Sequence, residues 1–466
     1  MGKIPDKFSG YLNIGNDVLA YFISDSLVTM LPAQNNFKDT SDIFNRITSQ
    51  DVDTSEFIYG DYSGQRIAIL RNSKFNYNWL HLNHSIRFAT PLIIMATGSS
   101  IPFYGSLTEK WNKFHAITFY GGNINPLFSP RIALEPVKEF TNVNGAREIK
   151  LRSWDDYTLY KKLELFNESV EITFSVMQDN EKTGFVGTDG YNLGQLNSFI
   201  RFAFENAQSF ESIEKYYNVV KKLVSILTGE SNITFEVYLS QKTTDGLFAK
   251  SADCKIFDRY ENYSNKNESK VIPINNIIEN ISELINLIAN NEATQLLTLL
   301  SDNNNSRNCI SITNVQDMCT ALEIAYKWNK EKRTKDELID ELKLSIKSAI
   351  ADFTSKHPEL DVSQQTTISS SFQYLDYTLK QKIYTLYSEN QDIIDSVISK
   401  YSLPKMNENS IAEFVKLRNA KTHTGKIEWG DCADMYIPLL ALVYSTLFKH
   451  ASFPDDIVKQ AVLSLF

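Results

Sequence analysis

A change of hydrophobic period partway along the chain constrains the fold more than any other feature. Up to about residue 200, apolar side chains recur at every second position, as in Ile67/Ile69 and in Val170, Ile172, Phe174 and Val176. That alternation belongs to strands with one buried face. Turn-forming clusters cut the runs short: Tyr59-Gly60-Asp61, Ser63-Gly64, Gly121-Gly122-Asn123 and Asn142-Val143-Asn144-Gly145. Strands so frequent and so brief predict an antiparallel, sandwich-like or strongly twisted sheet. Between residues 209 and 229 the period turns helical. Ile213, Tyr217, Val220, Val224 and Leu227 share one face, and Gly229 suits the position after a helix end. Strand-like Ile233, Phe235, Val237 and Leu239 follow.

From Tyr260 to Lys270 the chain has almost nothing to bury, which places a domain boundary there. Beyond it the pattern is helical throughout. Val315, Met318, Cys319, Leu322 and Tyr326 form one stripe and Leu338 to Ile350 another, with further helices expected over 371–388 and 390–400. Asp302 to Asn308 and 357–368 read as loops. The expected fold is therefore α+β: a β-rich domain over 1–265, with its own helix near 209–229, followed by an all-α bundle over 271–466. A length of 466 residues suits two cores better than one.

The net charge of −9 argues against a protein that coats nucleic acid indiscriminately, because phosphate binding needs a positive field. Basic side chains do cluster locally. Residues 327–335 hold five basic side chains and one acidic, and 405–430 hold five against three. Lys330, Lys332, Arg333, Lys416 and Lys421 are thus candidate contacts for an RNA backbone, or simply a solvated helix surface. Trp328 is placed either to stack a base or to join the core. The four cysteines, Cys254, Cys309, Cys319 and Cys432, lack Cys-x-x-Cys spacing and read as reduced thiols. Met1 to Phe8 contains no apolar leader, so a cytoplasmic location is expected. Tyr436 to Phe448 is too short to span a bilayer and reads as a buried core helix.

The common catalytic signatures are missing: no phosphate-binding Gly-x-x-x-x-Gly-Lys-Ser/Thr, no His-Glu-x-x-His and no Gly-x-Ser-x-Gly. Gly184 to Gly190 reads as a plain glycine-rich loop, Asp155-Asp156 as a turn, and His81 with His84 as structural side chains rather than metal ligands. The pattern calls for neither metal nor cofactor.

One segment, Ser410 to Gly425, stands apart. Ser410 and Glu413 have capping-box spacing, which predicts a helix start there. The stripe that follows is Ile411, Phe414, Val415 and then Arg418, so a guanidinium falls on the packing face and must find an anion. His423 lies five residues on, about 140° round a straight helix, so bringing it to Arg418 requires the helix to end or bend between Thr422 and Gly425. An imidazole can take a proton from a ribose 2′-OH while a guanidinium holds the phosphoryl oxygens. On spacing alone, an Arg–carboxylate pair knitting a bundle is the better reading.

Arg418-Asn419-x-x-x-His423 at the end of an apolar helix, ahead of a long apolar helix, resembles the Arg-x4-6-His motif of HEPN domains. Ala321-Leu322-Glu323, with Tyr326 one turn on, is similar to the opening helix of the bundle in ApeA-like HEPN proteins. Phe8-Ser9-Gly10-Tyr11-Leu12 and Ile58-Tyr59-Gly60 resemble that family's amino-terminal region. The resemblance implies an antiphage abortive-infection effector. Its activity would be that of a metal-independent endoribonuclease, usually dimeric through the HEPN domain, whose paired motifs form one composite site and whose amino-terminal domain senses a phage-derived trigger or restrains cleavage. It implies roles for Arg418 on phosphate, His423 as acid/base, Asn419 as a supporting polar group and Glu323 as an orienting carboxylate. Thr422 and Thr424 depart from the small apolar residue and the glycine common beside the histidine. A noncatalytic HEPN module that binds RNA or protein, with the β domain as its recognition surface, is the alternative.

Overall fold

The computed structural model describes residues 4–14, 17–32, 56–71, 76–78, 85–97, 107, 109–135, 152–179, 195–257, 270–300, 310–328, 337–371, 377–424 and 430–466. The chain divides into two compact units. One is Met1–Val224 with Asn232–Tyr263; the other is Ser225–Ser231 with Ser264–Phe466. The division at Tyr263 falls within the polar stretch. The last turn of the intervening helix, α1 (Ile213–Thr228), is counted with the second unit.

Among the described residues, the first unit is built on fourteen strands. In chain order they are β1 (Lys7–Ile14), β2 (Asp17–Ser24), β3 (Leu27–Pro32), β4 (Glu56–Tyr62), β5 (Gln65–Arg71), β6 (Asn76–Asn78), β7 (Ser85–Ala89), β8 (Leu92–Ala96), β9 (Lys113–Tyr120), β10 (Leu159–Leu165), β11 (Glu168–Asp179), β12 (Gln195–Ser209), β13 (Glu236–Lys242) and β14 (Phe248–Ile256). They form one antiparallel sheet in the order β10-β11-β12-β9-β13-β14-β8-β5-β4-β1-β2-β3-β7-β6. The alternation read in the sequence decides which side chains turn inward. Leu12, Leu19, Tyr21, Ile23, Val28, Met30, Ile58, Ile67, Ile69, Ile86, Phe88, Ile93 and Met95 meet in a single core. Because β1 to β5, β7 and β8 all contribute to that core, this half of the sheet curls on itself. Thr90, in the bend between β7 and β8, donates its hydroxyl to the Leu70 carbonyl and so ties the bend to β5. The segments carrying Gly10 and Gly60 are neighbouring strands, with Leu12 opposite Gly60. A Cβ at Gly10 would overlap the Asp61 carbonyl oxygen, and one at Gly60 the Tyr11 carbonyl oxygen, so both positions need glycine for close approach. Asp155-Asp156 lies in a short exposed 3-10 turn, Trp154–Asp156.

In the second unit, besides single turns at Ile274–Ile277 and Thr294–Leu297, the helices are α2 (Ile281–Ala289), α3 (Ile312–Trp328), α4 (Glu337–Lys356), α5 (Val362–Ser371), α6 (Leu379–Glu389), α7 (Gln391–Tyr401), α8 (Glu408–Thr424), α9 (Tyr436–His450) and α10 (Asp455–Leu465). The chain is thus an α+β protein: an antiparallel sheet unit followed by a helical one. The stretch Cys432–His450 is long and apolar enough to cross a membrane by composition, yet most of it is buried inside the structure. Helix α9 is the core helix of this unit, packed against α3, α7 and α10. Its buried Ser445 donates to Asn390 Oδ1 at 3.0 Å, and Asn390 donates onward to the Leu386 carbonyl, so these two buried polar side chains are satisfied.

Two expectations require correction, and a third element forms as expected without a covered face. The segment 357–368 contains the start of α5, whose Asp361 side chain accepts from the Gln364 backbone while Gln364 Oε1 accepts from the Asp361 backbone. That reciprocal cap starts a helix among Ser and Thr, which are poor formers in a helix interior. The helix expected over 371–388 runs Leu379–Glu389, with a capping box between Thr378 and Gln381. The apolar stripe of 338–350 belongs to α4 but lies uncovered: Leu338, Leu342 and Leu344 are exposed. The loop expected at Asp302 to Asn308, His81, His84, Gly184 to Gly190 and Cys309 lie outside the described residues. Cys254 and Cys319 are buried and Cys432 is half-buried, none of the three in a disulfide.

Candidate functional site

Helix α8 carries the Arg418 to His423 pair, and its start differs from the expected one. Asn407 is the N-cap, with its side-chain oxygen accepting from the Asn409 and Ser410 backbone N–H groups at 2.9 and 3.0 Å. Ser410 Oγ accepts from the Asn407 backbone in return, at 3.0 Å. Ser410 is therefore the third helical residue of the box rather than its cap. Glu413, the expected partner of Ser410, instead pairs with Lys416 at 2.6 Å on the exposed face. The preference for Asn at a cap matches that for Ser, so the sequence offered two starts three residues apart, and the earlier one forms.

Among the described side chains of α8, Ile411, Phe414 and Leu417 are buried. Arg418 stands half-buried beside them, on the flank of the helix that packs against α3 and α6. Its charge reaches Cys319 of α3. Burial pushes the Cys319 thiol up to about 12, the Arg418 guanidinium pulls it down and the Glu323 carboxylate pushes it further up. Arg418, Cys319 and Glu323 are thereby gathered in one neighbourhood from segments about a hundred residues apart. Glu323 Oε1 also lies 4.0 Å from Lys382 Nζ of α6, which makes the flank of the site a mixed-charge cluster. Ala321, Leu322 and Tyr326, from the same stretch as Glu323, are buried.

His423 occupies the last turn of α8, which ends at Thr424. That end falls within the 422–425 window but after the histidine. Positions 418 and 423 therefore keep helical spacing, about 140° apart round the axis and about 7.5 Å along it. One copy of α8 does not set the two residues side by side through its backbone. The side chains of Asn419, Lys421 and His423 lie outside the described atoms, as do residues 330, 332 and 333 with their Lys330, Lys332 and Arg333. Lys416 is exposed, and its ion pair with Glu413 is of the solvated kind that an anionic ligand readily displaces.

Trp328 is half-buried rather than a core residue. It stacks flat on His450 at the end of α9, centroids 5.0 Å apart and planes within 1°, while His450 Nε2 sits 2.9 Å from Glu292 Oε2. Sequence reasoning missed this triad, and it missed Lys382 and the nearness of Cys319 to Arg418. All are long-range contacts, and only the helical stripe that contained Cys319 gave a local signal.

Among known proteins the chain matches no family model, no curated protein and no solved structure.

Proposed function

We propose that the helical unit is a HEPN-type endoribonuclease acting without metal or cofactor, and that the protein is a cytoplasmic antiphage abortive-infection effector held in check by its β-rich unit until infection. The observation that carries the reading is Arg418: a guanidinium on the flank of a buried stripe, beside Cys319 and Glu323, on the same helix as His423. A guanidinium so placed is oriented by its surroundings and carries the planar fork that suits a phosphoryl group.

In this reading the His423 imidazole takes the proton from a ribose 2′-OH. The 2′-oxygen attacks phosphorus, the bond to the 5′-oxygen breaks, and the departing oxygen is protonated. The products are a 2′,3′-cyclic phosphate and a free 5′-OH. Arg418 neutralises the charge that builds on the phosphoryl oxygens, and Asn419 supports it. The angular separation of 418 and 423 on one helix favours a site completed by two copies of α8, which fits a homodimer. Lys416 and Lys421 flank the motif and would guide the RNA strand.

The test is expression of the intact chain with Arg418→Ala or His423→Ala. Each is expected to lower RNA cleavage by about 10²–10⁴-fold and to abolish growth arrest while helicity stays unchanged. Arg418→Lys should not rescue, because an ammonium lacks the planar fork. Two alanine variants as toxic as the parent would end the proposal. Activity is expected to survive a chelator.

A further inference from the structure

A cavity of about 390 Å³ opens on the sheet of the first unit, walled by Met177 and Gln178 of β11, Phe199 and Arg201 of β12, and Trp154 and Tyr157 at the short 3-10 turn. That volume falls in the range of about 300–1,000 Å³ typical of small-molecule sites. The register of three strands fixes Arg201. It stands opposite Thr118 of β9, and Thr118 stands opposite Tyr238 of β13. Arg201 Nε donates to Thr118 Oγ1 at 3.2 Å and its Nη2 to the Tyr238 hydroxyl at 3.3 Å, while the guanidinium carbon lies 5.0 Å from the centre of the Phe199 ring. Both bonds go to neutral hydroxyls, and among the described residues no carboxylate pairs with the charge. A half-buried cation is thus held in place without being neutralised. Trp154 lies on Phe199, centroids 6.1 Å apart and planes 26° from parallel, and its Nε1 donates to the Tyr160 hydroxyl at 2.7 Å, which fixes the indole. Trp154 is nonetheless 41% exposed. A large ring locked on a cavity wall with that much surface uncovered is a stacking platform.

We infer that this cavity binds a single nucleotide, the base lying against Trp154 and Tyr157 and the phosphate taking the edge of the Arg201 guanidinium that the two hydroxyls leave open. A guanidinium meets a phosphate through two parallel hydrogen bonds, and every base offers a flat face to an aromatic ring. Asp155 and Asp156 are exposed on the turn that carries Trp154, so the negative end of the ligand is repelled from that side and drawn to Arg201. The nuclease reading assigns nothing to this part of the sheet, and the inference does not rest on it.

Titration calorimetry of the full chain, with no RNA present, tests it against the four ribonucleoside monophosphates, their nucleosides and inorganic phosphate. At least one monophosphate is expected to bind about 10-fold or more tighter than its nucleoside, as hydrogen bonds to a charged group supply. Arg201→Gln should erase that preference while leaving the nucleoside's affinity as it was. Trp154→Ala, at an exposed position, should weaken nucleotide and nucleoside alike by about 10-fold. The Trp154 variant and the parent's own preference decide the matter if Arg201→Gln loses its melting transition. The inference is overturned if no monophosphate binds, if nucleoside or inorganic phosphate binds as tightly as the best nucleotide, or if Trp154→Ala leaves the affinity untouched. A folded Arg201→Gln that keeps the preference overturns it as well. Because cleavage is not measured, failure of the nuclease reading leaves this result standing.

Discussion

Cys319 is wholly buried beside Arg418, and its thiol is held up to about 12 chiefly by burial, against an ordinary value of 9.0. In the unfolded chain that thiol ionises near its ordinary value, while the folded chain keeps the proton. The stability it contributes is therefore full below about pH 9 and is lost as pH rises towards about 12. Urea melts at neutral and alkaline pH should show the parent losing more stability across that window than Cys319→Ala does. Equal losses would mean that the thiol is not held neutral. The same burial should leave Cys319 unreactive to thiol reagents at neutral pH until the protein unfolds. Arg418 could be placed on a packing face from its spacing to Ile411 and Phe414. Its neighbours Cys319 and Glu323 could not be paired with it, because nothing local in a sequence encodes which helix faces which.

At the scale of elements, periodicity carried most of the information and capping chemistry the rest. The stripe Val315, Met318, Cys319, Leu322 and Tyr326 is buried as its spacing requires. The stripe of α4 has equal periodicity and is exposed, since a pattern states that a face is apolar but not what covers it. The start of α8 was misplaced by three residues because two overlapping boxes competed. Asn407→Ala should cost about 1 kcal/mol in a denaturant melt, whereas Glu413→Ala should change little because its partner Lys416 is a solvated ion pair. A larger loss at Glu413 than at Asn407 would restore the later start. In the sheet, Gly60→Ala forces a methyl onto the Tyr11 carbonyl where β1 and β4 pair, and should cost about 3 kcal/mol or more. The check is the melting midpoint against that of Gly64→Ala, which meets open space but carries a positive φ of 81°.

For the whole molecule, the division into a sheet unit and a helical unit was legible because the period changes and a polar stretch intervenes. The continuity of the fourteen described strands in one sheet was not, since pairing between β8 and β14 joins segments more than 150 residues apart. The central proposal, cleavage of RNA by Arg418 and His423, belongs to this scale because it joins the helical site to restraint by the β-rich unit. It is tested most directly by sequencing cellular RNA ends after induction of the parent chain and of His423→Ala. New ends bearing 2′,3′-cyclic phosphate in the parent alone are expected. The same new ends in both strains, or none in either while growth stops, would contradict it.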